Sequence, residues 1–425
     1  MISVSPIFLL AFLLSPILLF IYAKRLFAGT SFLSIGQWRQ SLVLMWVLNL
    51  VCFTALALYF QYRYGYITDD INYFRGAGLF RGKYLWELSD GSEFMYFISA
   101  PFKHILGFDR PAFHVFSATL GFIASLTFTR IFLWRTDILL KNSFKFNRLA
   151  ILSLTCFPNI MLWARVYGKD ASMFFLASFL TLSAYLVLKS NKINALNLIL
   201  IAFLLYLMQI LRPHVAGVLG LAFILAYFYK MLQFKTRNAG FGAILKFYVP
   251  AILIFIAFIF ISSSIRRLGI EKEEFSSEAV KQSIVSAVRM GAYGGSATEL
   301  ASEMKDNPDI IFSPPIVVRN IFNFLFEPLP WHVRGGADFM AFLSNVLLFY
   351  LLYKYARRIR LFDEVQIFFF LSTLGLTVLL SFISGNVGLI LRQKTIVLPF
   401  LFLLLFSRPP EEYKTAAPDE ENETP

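Results

Sequence analysis

Two acidic residues stand side by side in the stretch RYGYITDDINYFRGAGLFRGKY, Asp69 and Asp70. Adjacent carboxylates can act as a general base or, through oxygen, hold a divalent cation, the one cofactor this pair would take. Either acid can instead cap the helix expected over residues 71–80, because a side-chain oxygen there accepts a backbone N–H that has no partner within the helix. A second polar cluster, Trp163-Ala164-Arg165-Val166-Tyr167-Gly168-Lys169-Asp170, follows Pro158 and reads as a hairpin between two apolar runs. In it Asp170 can cap the next helix, and Arg165 and Lys169 can reach lipid headgroups or an anionic ligand. Cations recur at Arg212-Pro213-His214, at Arg319, His332 and Arg334 around the FEPLPW segment, and at Arg392 and Lys394 after Gly385-Asn386-Val387-Gly388. Arg and Lys around a phosphate or pyrophosphate give charge-assisted hydrogen bonds, and Arg adds a two-pronged fork. Arg165, Lys169, Arg212, His214, Arg319, Arg334, Arg392 and Lys394 are therefore the candidate anion-binding set. Tyr73, Trp86 and Trp331 can stack on sugar rings or anchor in the membrane interface, and Asp170 and His332 are further candidate sugar or acceptor contacts.

Arg392 lies several residues inside an apolar segment. An intramembrane charge costs roughly 2.5–3.5 kcal/mol on insertion scales, so it requires a partner or a water-filled cavity. The chain has no phosphate-binding P-loop, no GxGxxG after a strand, no HExxH and no pair of CxxC motifs, which leaves nucleotide hydrolysis and zinc chemistry without support. A nucleic-acid partner is not expected.

The elements that must position these residues are membrane helices. Hydrophobic residues make up 58% of the chain and charged residues 15%, against about 45–50% and about 25% in soluble domains. Several apolar runs approach the ~17–25 residues that a helix needs to cross the hydrocarbon. The expected fold is all-α, a polytopic transmembrane bundle of about 11 spans near 4–23, 40–61, 112–134, 149–163, 171–188, 193–211, 214–229, 247–264, 337–356, 364–383 and 387–407. Cys52 and Cys156 fall inside apolar runs and read as packing residues. Alternate short connections are rich in Lys and Arg, which by the positive-inside rule places the N-terminus outside and the C-terminus in the cytoplasm. Two long connections, about 61–111 and 265–336, then face outward and carry interfacial helices. Residues 1–407 form one transmembrane domain, and the acidic, Pro-containing stretch 408–425 reads as a disordered cytoplasmic tail.

On this topology the outward hairpins carry more cations than carboxylates, opposite to the bias that sets the orientation. An anionic ligand would account for the excess, as would cations snorkelling to the interface and binding anionic lipid.

The pattern resembles the GT-C class of membrane glycosyltransferases. Asp69-Asp70 looks like the acidic pair that opens the first large extracytoplasmic loop in that class, and Ile71-Asn72-Tyr73-Phe74-Arg75-Gly76-Ala77 like the aromatic and small-residue helix after it. FPNIMLWARVYGKDASMFFL resembles the Pro-containing helix and polar hairpin that the class shares with bacterial polysaccharide polymerases of the Wzy and EpsG type, and Leu211-Arg212-Pro213-His214-Val215 and GNVGLILRQK look more like those polymerases. Here the acidic loop follows the second span rather than the first. The resemblance implies sugar or oligosaccharide transfer from a polyprenyl-(pyro)phosphate-linked donor to a glycan or lipid-linked acceptor, on the periplasmic or outer side of a bacterial cytoplasmic membrane. Two other classes fit the same cations. A transporter or flippase for lipid-linked glycans needs polar residues continuing through the bundle. A non-catalytic assembly subunit needs no cavity.

Overall fold

The computed structural model describes residues 69–80, 82–88, 91–135, 144–190, 195–234, 313–333, 336–359, 363–383 and 387–407, with residues 14, 15, 17 and 21–24 near the N-terminus. The spans expected near 40–61 and 247–264, most of the span near 4–23, much of the second long connection, Arg334 and the acidic tail lie outside the described residues.

Every regular element among the described residues is helical. The α-helices are α1 (Asp69–Leu79), α2 (Gly91–His104), α3 (Arg110–Arg135), α4 (Phe144–Cys156), α5 (Pro158–Trp163), α6 (Lys169–Lys189), α7 (Ala195–Leu211), α8 (Pro213–Phe234), α9 (Pro314–Phe326), α10 (Gly336–Tyr355), α11 (Glu364–Ile383) and α12 (Val387–Phe406). Among the described residues five helices, α3, α6, α8 over Pro213–Met231, α11 and α12, are long and apolar enough to cross a membrane. A helix rises about 1.5 Å per residue, so ~20 residues match the ~30 Å hydrocarbon thickness. The α12 span is 89% buried and the α3 span 83%, against 44% for α11, so α3 and α12 form the centre and α11 the rim.

The centre is aromatic. Phe128 of α3 packs on Phe174 of α6 with ring centroids 5.5 Å apart and on Phe400 of α12 at 5.9 Å, and Phe400 meets Phe368 of α11 at 6.1 Å. All four rings are fully buried. Edge-to-face and tilted packing of this kind is favoured by the ring quadrupoles.

The run expected as one span near 149–163 is broken. Pro158 has no N–H to continue the α4 ladder, and Phe157 before it is extended, so α5 restarts with proline at its first turn. Two glycines let backbones approach closely around this break. A Cβ on Gly121 of α3 would lie 2.2 Å from the Ala164 carbonyl oxygen of the α5–α6 hairpin, and one on Gly91 would lie 2.6 Å from the Leu211 carbonyl oxygen. These contacts press α3 and α2 onto the connections that carry the polar residues.

The bundle has two polar ends. At the end where α3 and α6 finish, Arg135 and Lys189 hold Asp363, which also accepts the Gln366 N–H at 2.8 Å and so caps α11. Burial alone would raise the Asp363 pKa, but Arg135 and Lys189 outweigh it and hold the carboxyl below its usual range. Lys230 donates to the carbonyls of Val187 at 2.9 Å and Ser190 at 2.5 Å, closing the end of α6.

Candidate active site

At the other end, a cavity of about 340 Å³ opens where α1, α2, α6 and α12 begin. Asp69 and Asp70 of α1, Ser92 of α2, Lys169 and Asp170 of α6, and Leu389 and Arg392 of α12 line it close to their helix N-termini. Arg212, between α7 and α8, completes the charged wall. Unpaired N–H groups and aligned peptide dipoles make helix N-termini favourable for anions, so the backbone potential here acts in the same direction as the cationic side chains.

The neighbouring acids have different fates, because successive residues of a helix point about 100° apart. The Asp70 side chain is 3% exposed, and its Oδ2 accepts from Arg110 Nε at 2.5 Å and from His114 Nε2 at 3.0 Å. The Tyr167 N–H donates to His114 Nδ1 at 3.3 Å. A nitrogen that accepts carries no proton, so the ring proton sits on Nε2 and is donated to Asp70. Asp69 is 60% exposed, and its Oδ2 accepts from Arg392 Nη1 at 2.9 Å. Of the pair, Asp69 is therefore the acid open to a ligand.

Arg392 has the partner and the cavity that its place in an apolar segment demands. Its guanidinium pairs with Asp69 and lies 4.9 Å from the Trp163 ring centre, a cation–π contact that holds it at the cavity edge. Across the cavity Arg212 Nη2 donates to Asp170, and its buried Nη1 has no hydrogen-bond partner among the described residues. Lys169 Nζ lies 5.8 Å from the ring centre of Tyr73. Burial first, and then the charges of Asp69 and Asp170, push the Tyr73 phenol above its usual range against the opposing Arg212 and Arg392, so it remains a donor. Tyr167 shares a 2.6 Å hydrogen bond with Ser99, and burial likewise raises its pKa.

The structure thus brings together Asp69, Asp70, Tyr73, Lys169, Asp170, Arg212 and Arg392 of the residues expected from sequence. It places the others elsewhere. Arg165 is 1% exposed and donates from Nη2 to the Thr155 carbonyl at 2.7 Å, serving the helix end that the Pro158 break exposes. Lys394 follows Arg392 by two residues, about 200° around α12, and donates instead to the Glu327 carbonyl at 3.1 Å and to Asn345 Oδ1 at 2.8 Å. His214 follows Arg212 but is absent from the cavity wall, and its buried Nε2 has no hydrogen-bond partner among the described residues. Arg319 sits on α9 and does not line the cavity. His332 Nδ1 lies 3.4 Å from Glu327 Oε1. Trp86, stacked on Tyr84, and Trp331 are 73% and 74% exposed, away from the cavity. Arg334 lies outside the described residues.

Sequence reasoning passed over Arg110, His114 and Ser92, and gave Trp163 and Tyr167 of the second polar cluster no role of their own. One signal was legible: Arg110 and His114 are four residues apart at the start of a span and so share a helix face. Among the described residues no three His, Cys, Asp or Glu side chains gather as metal ligands would.

No known protein family, no characterised protein and no solved structure matches this chain.

Proposed function

We propose that the chain is a membrane glycosyltransferase. It moves a sugar or oligosaccharide from a polyprenyl-(pyro)phosphate donor to a glycan or lipid-linked acceptor on the extracytoplasmic face of a bundle of about 11 spans, and a Wzy-like polysaccharide polymerase is within this reading. The observation that carries it is one cavity lined by the exposed carboxylate of Asp69, paired with Arg392, and by Arg212 and Lys169. Asp69 takes the acceptor hydroxyl's proton as that oxygen bonds to the anomeric carbon. The bond from the anomeric carbon to the phosphate oxygen breaks, and its electron pair leaves with the phosphate. The cations and helix N-termini then stabilise the departing anion, so the leaving group needs no proton donor. Asp70 is a positioning residue in this scheme, holding Arg110 and His114 behind α1.

The test is transfer by Asp69→Asn and Asp70→Asn in membranes where both variants are folded. General-base catalysis typically contributes about 10²–10⁴-fold, and Asp69→Asn is expected to lose that much. Full transfer by Asp69→Asn would remove the base assignment.

A further inference from the structure

Asp69 has a difficulty as a base: one of its two carboxylate oxygens, Oδ2, already accepts from Arg392. A proton taken by the carboxylate removes the charge that holds this ion pair, so the contact opposes the transfer although the other oxygen is open. The same contact also takes one N–H donor of the guanidinium that a phosphate would use. The acid therefore sits where an anionic ligand's oxygen belongs.

We infer that Arg392 is an exchange partner: it masks Asp69 until the donor's phosphate or pyrophosphate takes it over, and this handover frees Asp69 to act. The inference rests on the proposed glycosyl transfer and orders it, with donor binding before acceptor. Three features suit the exchange. The Asp69–Arg392 pair is the more open one, with side chains 60% and 30% exposed, against 15% and 13% for Asp170 and Arg212, so Asp69 can swing away without unpacking the bundle. Trp163 keeps the Arg392 guanidinium at the cavity when Asp69 leaves it. Arg212, in the cavity wall, has in its buried Nη1 a second donor without a hydrogen-bond partner among the described residues, while Nη2 stays on Asp170. No bond is made or broken in the handover; one hydrogen-bonded ion pair replaces another.

The exchange makes a prediction of unusual sign. Asp69 competes with the anion, so its removal strengthens anion binding while it abolishes transfer. The probe is inorganic pyrophosphate, titrated calorimetrically into the full chain in nanodiscs with chelator present and again with magnesium. Asp69→Asn is expected to bind it about fivefold tighter than wild type, the scale of a partly exposed ion pair. Arg392→Gln is expected to bind it about tenfold more weakly, from loss of a charged hydrogen bond. The double variant should match Arg392→Gln, and Asp69→Ala should repeat the gain of Asp69→Asn. Unchanged or weaker binding by both Asp69 variants overturns the exchange, and a magnesium-dependent loss would show Asp69 holding a cation instead. Absence of binding in wild type and variants alike also overturns it. The transfer assay separates this from the wider reading. Correct signs without transfer uphold the exchange and sink the glycosyltransferase, and transfer with weaker binding by Asp69→Asn does the reverse.

Discussion

Where α3 and α6 finish, Asp363 is gripped by Arg135 and Lys189 and caps α11; where they begin, Asp69 and Asp170 hold Arg392 and Arg212 across a cavity. Residue types and pairings are alike at the two ends. The difference lies in how many lone pairs are engaged and in what surrounds them. Asp363 has both oxygens bonded, to Arg135, Lys189 and the Gln366 N–H, and its side chain is 14% exposed. Its charge is used to join three helix ends. Asp69 makes one ion pair and is 60% exposed beside open space. A fully engaged carboxylate fastens helices, and a partly engaged one beside a cavity can meet a ligand.

Asp70 belongs to the cavity by position and to the fastening kind by its bonds, which makes it the strongest probe of the comparison. Asp70→Ala would leave Arg110 and His114 facing a buried gap and should cost about 3–5 kcal/mol of stability, as breaking buried ion pairs does. Unfolding in micelles measures it, and Asp70→Ala/Arg110→Ala should recover part of the loss. A loss as small as that of Asp69→Ala would move Asp70 into the exchangeable class.

The opposite end should respond in stability alone. Asp363→Ala removes a cap and two partly screened pairs, about 1–2 kcal/mol, and should leave pyrophosphate binding unchanged. Its pH dependence has a definite sign. The folded pKa is depressed below the ordinary value of 3.8, so this stabilisation is present above that value and is lost as pH falls through the folded one. Acid unfolding of Asp363→Ala should therefore show a shallower fall than wild type below about pH 4, the ordinary carboxyl range. An equal slope would remove Asp363 as the acid-sensitive fastener.

The smallest effect is expected at Trp163. Trp163→Leu loses a cation–π contact worth about 0.5–1 kcal/mol and should weaken pyrophosphate binding about two- to fivefold without altering unfolding. A change in unfolding without a change in binding would make Trp163 a packing residue and leave Arg392 anchored by Asp69 alone.

Much of the architecture is written locally. The run expected at 364–383 is α11 to the residue, and those expected at 112–134, 171–188 and 387–407 match α3, α6 and α12 within about two residues, because continuous apolar runs bounded by charged or Gly/Pro residues leave the chain few alternatives. The break at Pro158 is equally local, yet the apolar pattern runs through it and on its own predicts one continuous span. The charges at helix ends were visible too, and with them the need for a partner at Arg392.

Sequence alone determined, then, that the chain is helical and apolar and that cations and one acidic pair stand at the helix ends. Only the tertiary structure decided which of them meet. Arg392 and Lys394 are two residues apart, yet one faces Asp69 and the other Glu327 and Asn345. Asp69 and Asp70 are adjacent, yet one is open and the other is enclosed by Arg110 and His114 from a helix some 40 residues on. Direction around a helix follows from position in the sequence. What stands opposite depends on which distant helix packs there, and a local pattern holds no record of that.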